Sequence, residues 1–353
     1  MSKFLNARIA ALKAYVPGEQ PKDQKYIKLN TNESPFLPSP KARKMAKSEL
    51  KKCMLYPDPD CKELLSAIAV NTDMGVENII VTNGSDEVLN FAFMAYCDEN
   101  TPAVFPDITY GFYKVFADLN GVPKKEIPLK ADFTIDLAEY AQEKGVIFIA
   151  NPNAPTGLAL PISAIEKLLQ ANPERVVVVD EAYVDFGGES CIPLVKKYDN
   201  LLVTQTFSKS RALAGGRLGL GVASKGIIED LNRIKYSTNP YNVNRVTAAA
   251  GTGSMLDNGY FKKCCEKIIR TREWAKSQLR YLGFTMTDSK ANFLFVKHDK
   301  IGGEELYLAL KERGILVRHF SQERIFDYNR ITVGSRKEME ILVKTIGEIV
   351  CER

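Results

Sequence analysis

Apolar residues in this chain gather into short unbroken runs, and between the runs they recur at helical spacing. Ile79-Ile80-Val81-Thr82, Ala103-Val104-Phe105-Pro106, Val146-Ile147-Phe148-Ile149-Ala150, Arg175-Val176-Val177-Val178-Val179 and Asn200-Leu201-Leu202-Val203-Thr204-Gln205 read as strands. Runs without polar alternation are strands covered on both faces, the mark of a parallel sheet. Helices fit between them, one starting near Lys62 and one from Val88 to about Tyr96. Alternating strand and helix predicts an α/β large domain around a mostly parallel central sheet. After Gly221 the pattern fades. Asn239-Pro240-Tyr241-Asn242-Val243-Asn244 breaks the chain, and a long helical run follows through about Arg280. The end alternates short strands (284–286, 292–296, 314–318, 330–333) with helices around Glu304–Arg313 and from Lys337, a small α+β domain. The expected division is an N-terminal arm over 1–28, a large domain over 29–244 and a small domain over 245–353. The arm carries a helix around Lys3–Lys13 that Pro17-Gly18 ends.

The polar residues at the ends of these runs carry the chemistry. Val176–Val179 leads into Asp180-Glu181-Ala182-Tyr183, placing a carboxylate at the strand's C-terminal edge, where open α/β sheets hold ligands. A buried carboxylate needs a partner to keep its charge, and a protonated pyridine nitrogen is one; Tyr183 is close enough in sequence to reach the same ligand. The next strand runs into Thr206-Phe207-Ser208-Lys209-Ser210-Arg211, then a small-residue stretch with Arg217. A lysine among hydroxyls with an arginine nearby suits a cofactor with an aldehyde and a phosphate. It equally suits a Ser/Lys surface loop ahead of a strand. Gly84-Ser85-Asp86 lies between a strand and a helix, which aims free N–H groups at an anion or is a plain helix N-cap. Tyr110, in an aromatic cluster after the strand at 103–106, is a ring to stack on a flat ligand or a core residue.

Composition narrows the class. The chain has 353 residues, 45% hydrophobic and 26% charged, with 48 Lys+Arg against 43 Asp+Glu. A net charge of +5 without a basic block slightly favours small anionic ligands and says little about nucleic acid. Two histidines, His298 and His319, do not suggest a metal site. Seven cysteines without a C-x-x-C spacing predict reduced thiols and a cytoplasmic location. Neither a signal peptide nor a membrane helix is expected. No phosphate loop of the G-x-x-x-x-G-K-[ST] type occurs, and Gly215–Gly221 does not match G-x-G-x-x-G.

A series of motifs runs through the chain in order: Tyr15-Val16-Pro17-Gly18, Asn30-Thr31-Asn32-Glu33, Tyr56-Pro57-Asp58, Asn83-Gly84-Ser85-Asp86-Glu87, Tyr110-Gly111-Phe112-Tyr113, Pro152-Asn153-Ala154-Pro155-Thr156-Gly157, Asp180-Glu181-Ala182-Tyr183, Thr206-Phe207-Ser208-Lys209, Gly216-Arg217-Leu218-Gly219, Pro240-Tyr241-Asn242-Val243-Asn244, Gly314-Ile315-Leu316-Val317-Arg318-His319-Phe320 and Arg330-Ile331-Thr332-Val333-Gly334. With these the chain resembles fold-type I, pyridoxal-phosphate-dependent aminotransferases, and among them the histidinol-phosphate aminotransferase family. The resemblance implies pyridoxal 5'-phosphate as cofactor. Lys209 then carries its aldehyde and moves the proton at the substrate α-carbon, Asp180 holds the ring nitrogen protonated, Tyr183 bonds the phenolic oxygen and Tyr110 stacks on the ring. Gly84, Ser85, Asp86, Thr206, Ser208 and Arg217 cradle the phosphate. Tyr56 crosses to the neighbouring subunit's site, so a homodimer is implied. Tyr15, Asn32, Arg318 and Arg330 fall on substrate-binding positions. One position departs from the family pattern: asparagine usually precedes Pro-Thr-Gly, and here it is Ala154, with Asn153 the expected substitute.

The implied reaction is transfer of the amino group of L-histidinol phosphate to 2-oxoglutarate, giving imidazole-acetol phosphate and L-glutamate in two half-reactions. Aromatic aminotransferases and threonine-phosphate decarboxylases share most of these motifs. A non-catalytic binding or regulatory protein on the same body is the alternative from another class.

Overall fold

A computed structural model describes residues 2–14 and 17–352. Its centre is a seven-stranded sheet in the order Ile79–Thr82, Gly219–Ala223, Leu201–Thr206, Val177–Asp180, Val146–Ala150, Ala103–Pro106, Lys124–Ile127. Gly219–Ala223 runs antiparallel to both its neighbours, and the other pairings are parallel. Six strands therefore point one way and deliver their C-terminal ends to one edge. The unbroken apolar runs are what this requires. Val177 and Val179 pack into the core on one face, while Val178 packs into the core on the other. Successive side chains of a strand point to opposite faces, so a sheet covered by helices on both sides needs every position apolar.

Two strands lay outside the expected set. Lys124–Ile127 has two exposed lysines and an edge position, so its period is polar. Gly219–Ala223 follows a glycine-rich stretch with weak strand preference, and its two neighbours impose the conformation. The N-terminal helix is shorter than expected, Ala7–Ala10, and buries no residue. So short a helix, with none of its residues fully buried, has little packing to hold it.

The C-terminal unit is a four-stranded antiparallel sheet, Arg318–His319, Asn329–Thr332, Phe293–His298, Phe284–Met286, with the helices Gly303–Glu312 and Arg336–Cys351. The last helix starts with a reciprocal capping box between Ser335 and Glu338. Ile27–Lys28 pairs in parallel with Ile315–Leu316, and Glu19 accepts from the Lys311 ammonium at 2.5 Å. The helical run expected from 245 to about 280 is two helices, Arg245–Met255 and Asn258–Tyr281. The first differs from the division expected at 245: Ala250 and Met255 join the core beneath the large sheet, against the helices Pro40–Glu49 and Lys62–Thr72. Its small residues allow that contact, since a Cβ on Gly253 would sit 2.7 Å from the backbone of Ala42.

Candidate active site

The C-terminal sheet edge opens into a cavity of about 350 Å³. Register explains what gathers there. Asp180 is opposite Ala150 on one side and Thr204 on the other, so the turns after these strands leave the sheet at one level. Ser85, Asp86, Tyr110, Asp180, Tyr183, Thr206, Ser208, Lys209 and Arg217 all line the cavity. Residues far apart in sequence thus line one cavity.

Lys209 reaches in from the turn after Leu201–Thr206, its ammonium donating to the Thr31 carbonyl at 3.1 Å and lying 5.9 Å from the centre of the Tyr183 ring. Asp180 is 5% exposed. Burial pushes its carboxyl from 3.8 to about 7, with nearby Asp86 adding to the rise. Three groups oppose it: the Tyr113 hydroxyl donates to Oδ2 at 3.1 Å, the Ala182 N–H donates to Oδ1 at 3.2 Å, and the Lys209 charge lies near. Tyr113 is a residue the sequence motif contained without a role. It is fully buried, and only the three-dimensional pairing shows its hydroxyl on Asp180.

Another group of lining residues is built to hold an anion. Helix Ser85–Tyr96 begins there, and its first N–H groups have no intrahelical partner. Gly84 has φ +83, and a Cβ on it would stand 2.7 Å from Arg217 Nη2. A Cβ on Gly219 would come within 2.2 Å of the Ser85 nitrogen, so glycine is what lets the helix end sit on the neighbouring strand. The Arg217 guanidinium donates to Asp86 Oδ2 at 3.2 Å and Ser208 Oγ at 3.4 Å. Ser208 Oγ also lies 3.0 Å from Thr206 Oγ1. Helix N–H groups, two hydroxyls and a guanidinium suit a phosphate. Tyr110 donates to Asp86 Oδ1 at 2.7 Å and also lines the cavity.

Other expected positions fall differently. Asn153 does not line the cavity. Its Oδ1 accepts from Thr109 at 2.7 Å, and its Nδ2 donates to the Ile108 carbonyl and Thr156 Oγ1, both at 3.0 Å. Its polar atoms are committed to the neighbouring segment at Ile108–Thr109 and to Thr156, and Ala154 lines the cavity instead. Asn32, expected to touch substrate, donates to the Tyr183 hydroxyl at 2.9 Å and accepts from Thr332 at 3.1 Å. It orients Tyr183 and ties the C-terminal unit to the site. Arg318 and Arg330 face each other across paired strands. Arg330 donates to the Asn30 carbonyl at 3.1 Å and lies over the Phe293 ring, 5.4 Å from its centre. Neither arginine is in the cavity's lining. Tyr56 is 77% exposed and stacks on Tyr241 with ring centres 4.6 Å apart, away from this chain's own cavity. Tyr15 lies outside the described residues. Glu33, given no role beforehand, lines the cavity. Burial works to raise its carboxyl, but Lys28, donating at 2.7 Å, and Thr31 outweigh it and hold it below the usual range.

These residues fit pyridoxal phosphate on chemical grounds. A buried carboxyl near 7 lacks a strong cationic partner, and a protonated ring nitrogen supplies one. An amine for the aldehyde and a cradle for the phosphate line one cavity.

A family model described as Aminotransferase class I and II matches residues 24–346. The chain is 48% identical over 352 residues to a histidinol-phosphate aminotransferase of Brachyspira hyodysenteriae, covering 99% of each. To that of Marinomonas sp. it is 49% identical over 350 residues, covering 98% of this chain and 99% of the other. Among solved structures, histidinol-phosphate aminotransferase from Sinorhizobium meliloti in complex with pyridoxal-5'-phosphate shares the fold, with a TM-score of 0.90 over 100% of this chain and 99% of that one at 22% identity.

Proposed function

Because the chain belongs to the class I and II aminotransferase family, we propose that it transfers the amino group of L-histidinol phosphate to 2-oxoglutarate, using pyridoxal phosphate. The observation that carries the chemistry is one cavity in which the Lys209 amine, the buried Asp180 carboxyl and the Arg217 phosphate cradle face one another. The substrate rests on the names of relatives that match this chain along nearly its whole length.

Pyridoxal phosphate, when bound, supplies an electron-withdrawing ring that stabilises the charge left at the substrate α-carbon. Asp180 keeps the ring nitrogen protonated, and Tyr113 keeps Asp180 aimed at it. Tyr183, held by Asn32, turns its hydroxyl to the phenolic oxygen. The Ser85 and Asp86 N–H groups, with Thr206, Ser208 and Arg217, hold the phosphate, and Tyr110 covers the ring. The Lys209 amine would take the proton from the substrate α-carbon, a general acid–base role. Arg318 and Arg330 take the anionic groups: phosphate in one half-reaction, carboxylates in the other.

The active unit is a homodimer in which Tyr56 reaches the partner's phosphate. Its exposure alongside Met54 (81%) and Leu55 (62%) supports this, since an apolar patch of that kind marks an interface. Among the described residues no helix is long and apolar enough to cross a membrane, and the protein acts in the cytoplasm on small molecules.

The test is a panel of amino donors with purified protein and 2-oxoglutarate: histidinol phosphate, tyrosine, phenylalanine and threonine phosphate. Histidinol phosphate should give the highest kcat/KM. A higher value for tyrosine or phenylalanine would make this an aromatic aminotransferase. Carbon dioxide release from threonine phosphate without 2-oxoglutarate would make it a decarboxylase, and inertness toward all four would leave a binding protein.

A further inference from the structure

The residue after Lys209 is tied to the segment that carries Tyr183. Ser210, 4% exposed, donates its hydroxyl to Asp185 Oδ2 at 2.5 Å. That is the short length expected of a hydroxyl on an ionised carboxylate. Asp185 lies in the tight turn Val184–Phe186, directly after Tyr183. The turn is itself held, since the Phe186 carbonyl accepts from the buried Arg272 guanidinium at 2.7 Å. On the other side, the Lys209 turn is closed by Ser208 N–H on Thr206 Oγ1 at 3.1 Å and Leu213 N–H on the Phe207 carbonyl at 2.9 Å. These bonds close the turn on itself. Elsewhere the turn meets the Thr31 carbonyl through Lys209 and Arg217 through Ser208; the Ser210 bond joins it to the segment that carries Tyr183.

We propose that the Ser210–Asp185 hydrogen bond is a brace that positions Lys209 for proton transfer, by locking its turn to the Tyr183 segment behind the cavity. This rests on the cofactor assignment for Lys209. A lysine side chain has four rotatable bonds, so its amine is placed no better than its Cα is held. Misplacing a reacting group by about 1 Å costs roughly a hundred-fold in rate. Asp185 also opens onto a second cavity of about 390 Å³ behind the Lys209 turn. Water there can replace the lost bond, so removing the hydroxyl should leave the protein folded.

The experiment compares Ser210→Ala, Ser210→Thr, Asp185→Ala and the double variant Ser210→Ala/Asp185→Ala with the wild type. Two quantities are read. The first is the rate at which cofactor-free protein takes up pyridoxal phosphate, followed by absorbance of its link to Lys209. The second is kcat and KM of the half-reaction with glutamate, a donor that does not depend on the histidinol phosphate assignment. Ser210→Ala and Asp185→Ala should each lower uptake rate and kcat about ten-fold or more, with KM within about two-fold. Ser210→Thr, which keeps the hydroxyl, should recover most of the loss. The double variant should be no worse than Asp185→Ala, because Ser210→Ala removes only a bond that Asp185→Ala has already removed, while Asp185 also faces the Arg211 charge. The brace is overturned if folded Ser210→Ala keeps wild-type uptake and kcat, or if the two single losses multiply in the double variant. A lowered melting temperature with unchanged uptake and kcat in folded protein would make the bond structural only, and likewise overturn it. Wild-type protein that fails with histidinol phosphate but reacts with glutamate would sink the substrate reading and leave the brace tested.

Discussion

Replacing Asp180 with asparagine should stabilise the cofactor-free protein while abolishing its chemistry. In the fold this carboxyl is raised from 3.8 to about 7, chiefly because it is buried and secondarily because Asp86 is near. Its protonated form is therefore the one the fold favours. That advantage is complete below 3.8, the value in the unfolded chain, and is lost as pH climbs to about 7. Above 7 the folded protein carries a buried charge. A proton held through about three pH units at about 1.4 kcal/mol each comes to about 4 kcal/mol. Asparagine has the same shape and no charge at any pH. Its carbonyl can accept from the Ala182 N–H as Oδ1 does now, and its amide can donate to the Tyr113 hydroxyl oxygen. The variant should thus gain about 1 kcal/mol at pH 4.5 and about 4 kcal/mol at pH 8. For a chain of this length that is about 5 °C in Tm at pH 8. The assay is thermal and urea unfolding of both cofactor-free proteins at the two pH values. With pyridoxal phosphate bound the sign should reverse, because the ring's N–H becomes the partner of a carboxylate and not of an amide. A gain independent of pH, or a cofactor-free wild type more stable than the variant at pH 8, would refute the reasoning.

Tyr113→Phe removes the hydroxyl that donates to Asp180, so the carboxyl should rise further and the pH-dependent loss of stability in cofactor-free protein should extend to higher pH. Unfolding measured at pH steps from 6 to 9 checks it, and a curve identical to wild type would remove Tyr113 from the site. Lys209→Ala should abolish amino transfer with every donor; near-normal turnover would rule the mechanism out. Arg330→Ala should raise KM for both substrates by about a hundred-fold, the loss of a charge-assisted forked pair being worth a few kcal/mol, and unchanged steady-state KM values would exclude it. Gly219→Ala drives a methyl toward the Ser85 nitrogen and should weaken pyridoxal phosphate binding at least ten-fold, measured by equilibrium dialysis, since it displaces the helix end that holds the anion.

Much of this protein could be read along the chain because its signals are local. Unbroken apolar runs such as Val176–Val179 announce strands buried on two faces, and the turn residues after them announce where the chain leaves the sheet. Lys209, Asp180 and the Ser85 turn each follow such a run, and parallel strands bring their C-terminal ends to one edge; Arg217 joins them there because it precedes Gly219–Ala223, which runs antiparallel. Where local signal was weak or misleading, neighbours decided: Gly219–Ala223 is a strand because two others flank it, and Arg245–Met255 packs under the large sheet because its glycines admit a facing helix.

The sequence alone determined which chemical groups the chain possesses and the order in which they meet the sheet edge, since both are properties of residues and their near neighbours. Tertiary structure alone decided which partner each group has. Tyr113 on Asp180, Asn32 on Tyr183 and Asp185 on Ser210 join residues 67, 151 and 25 positions apart. It also turned the Asn153 amide toward Ile108, Thr109 and Thr156. A hydrogen bond depends on atoms arriving within about 3 Å at a suitable angle, and that meeting is set by how all the elements pack rather than by any one stretch of them.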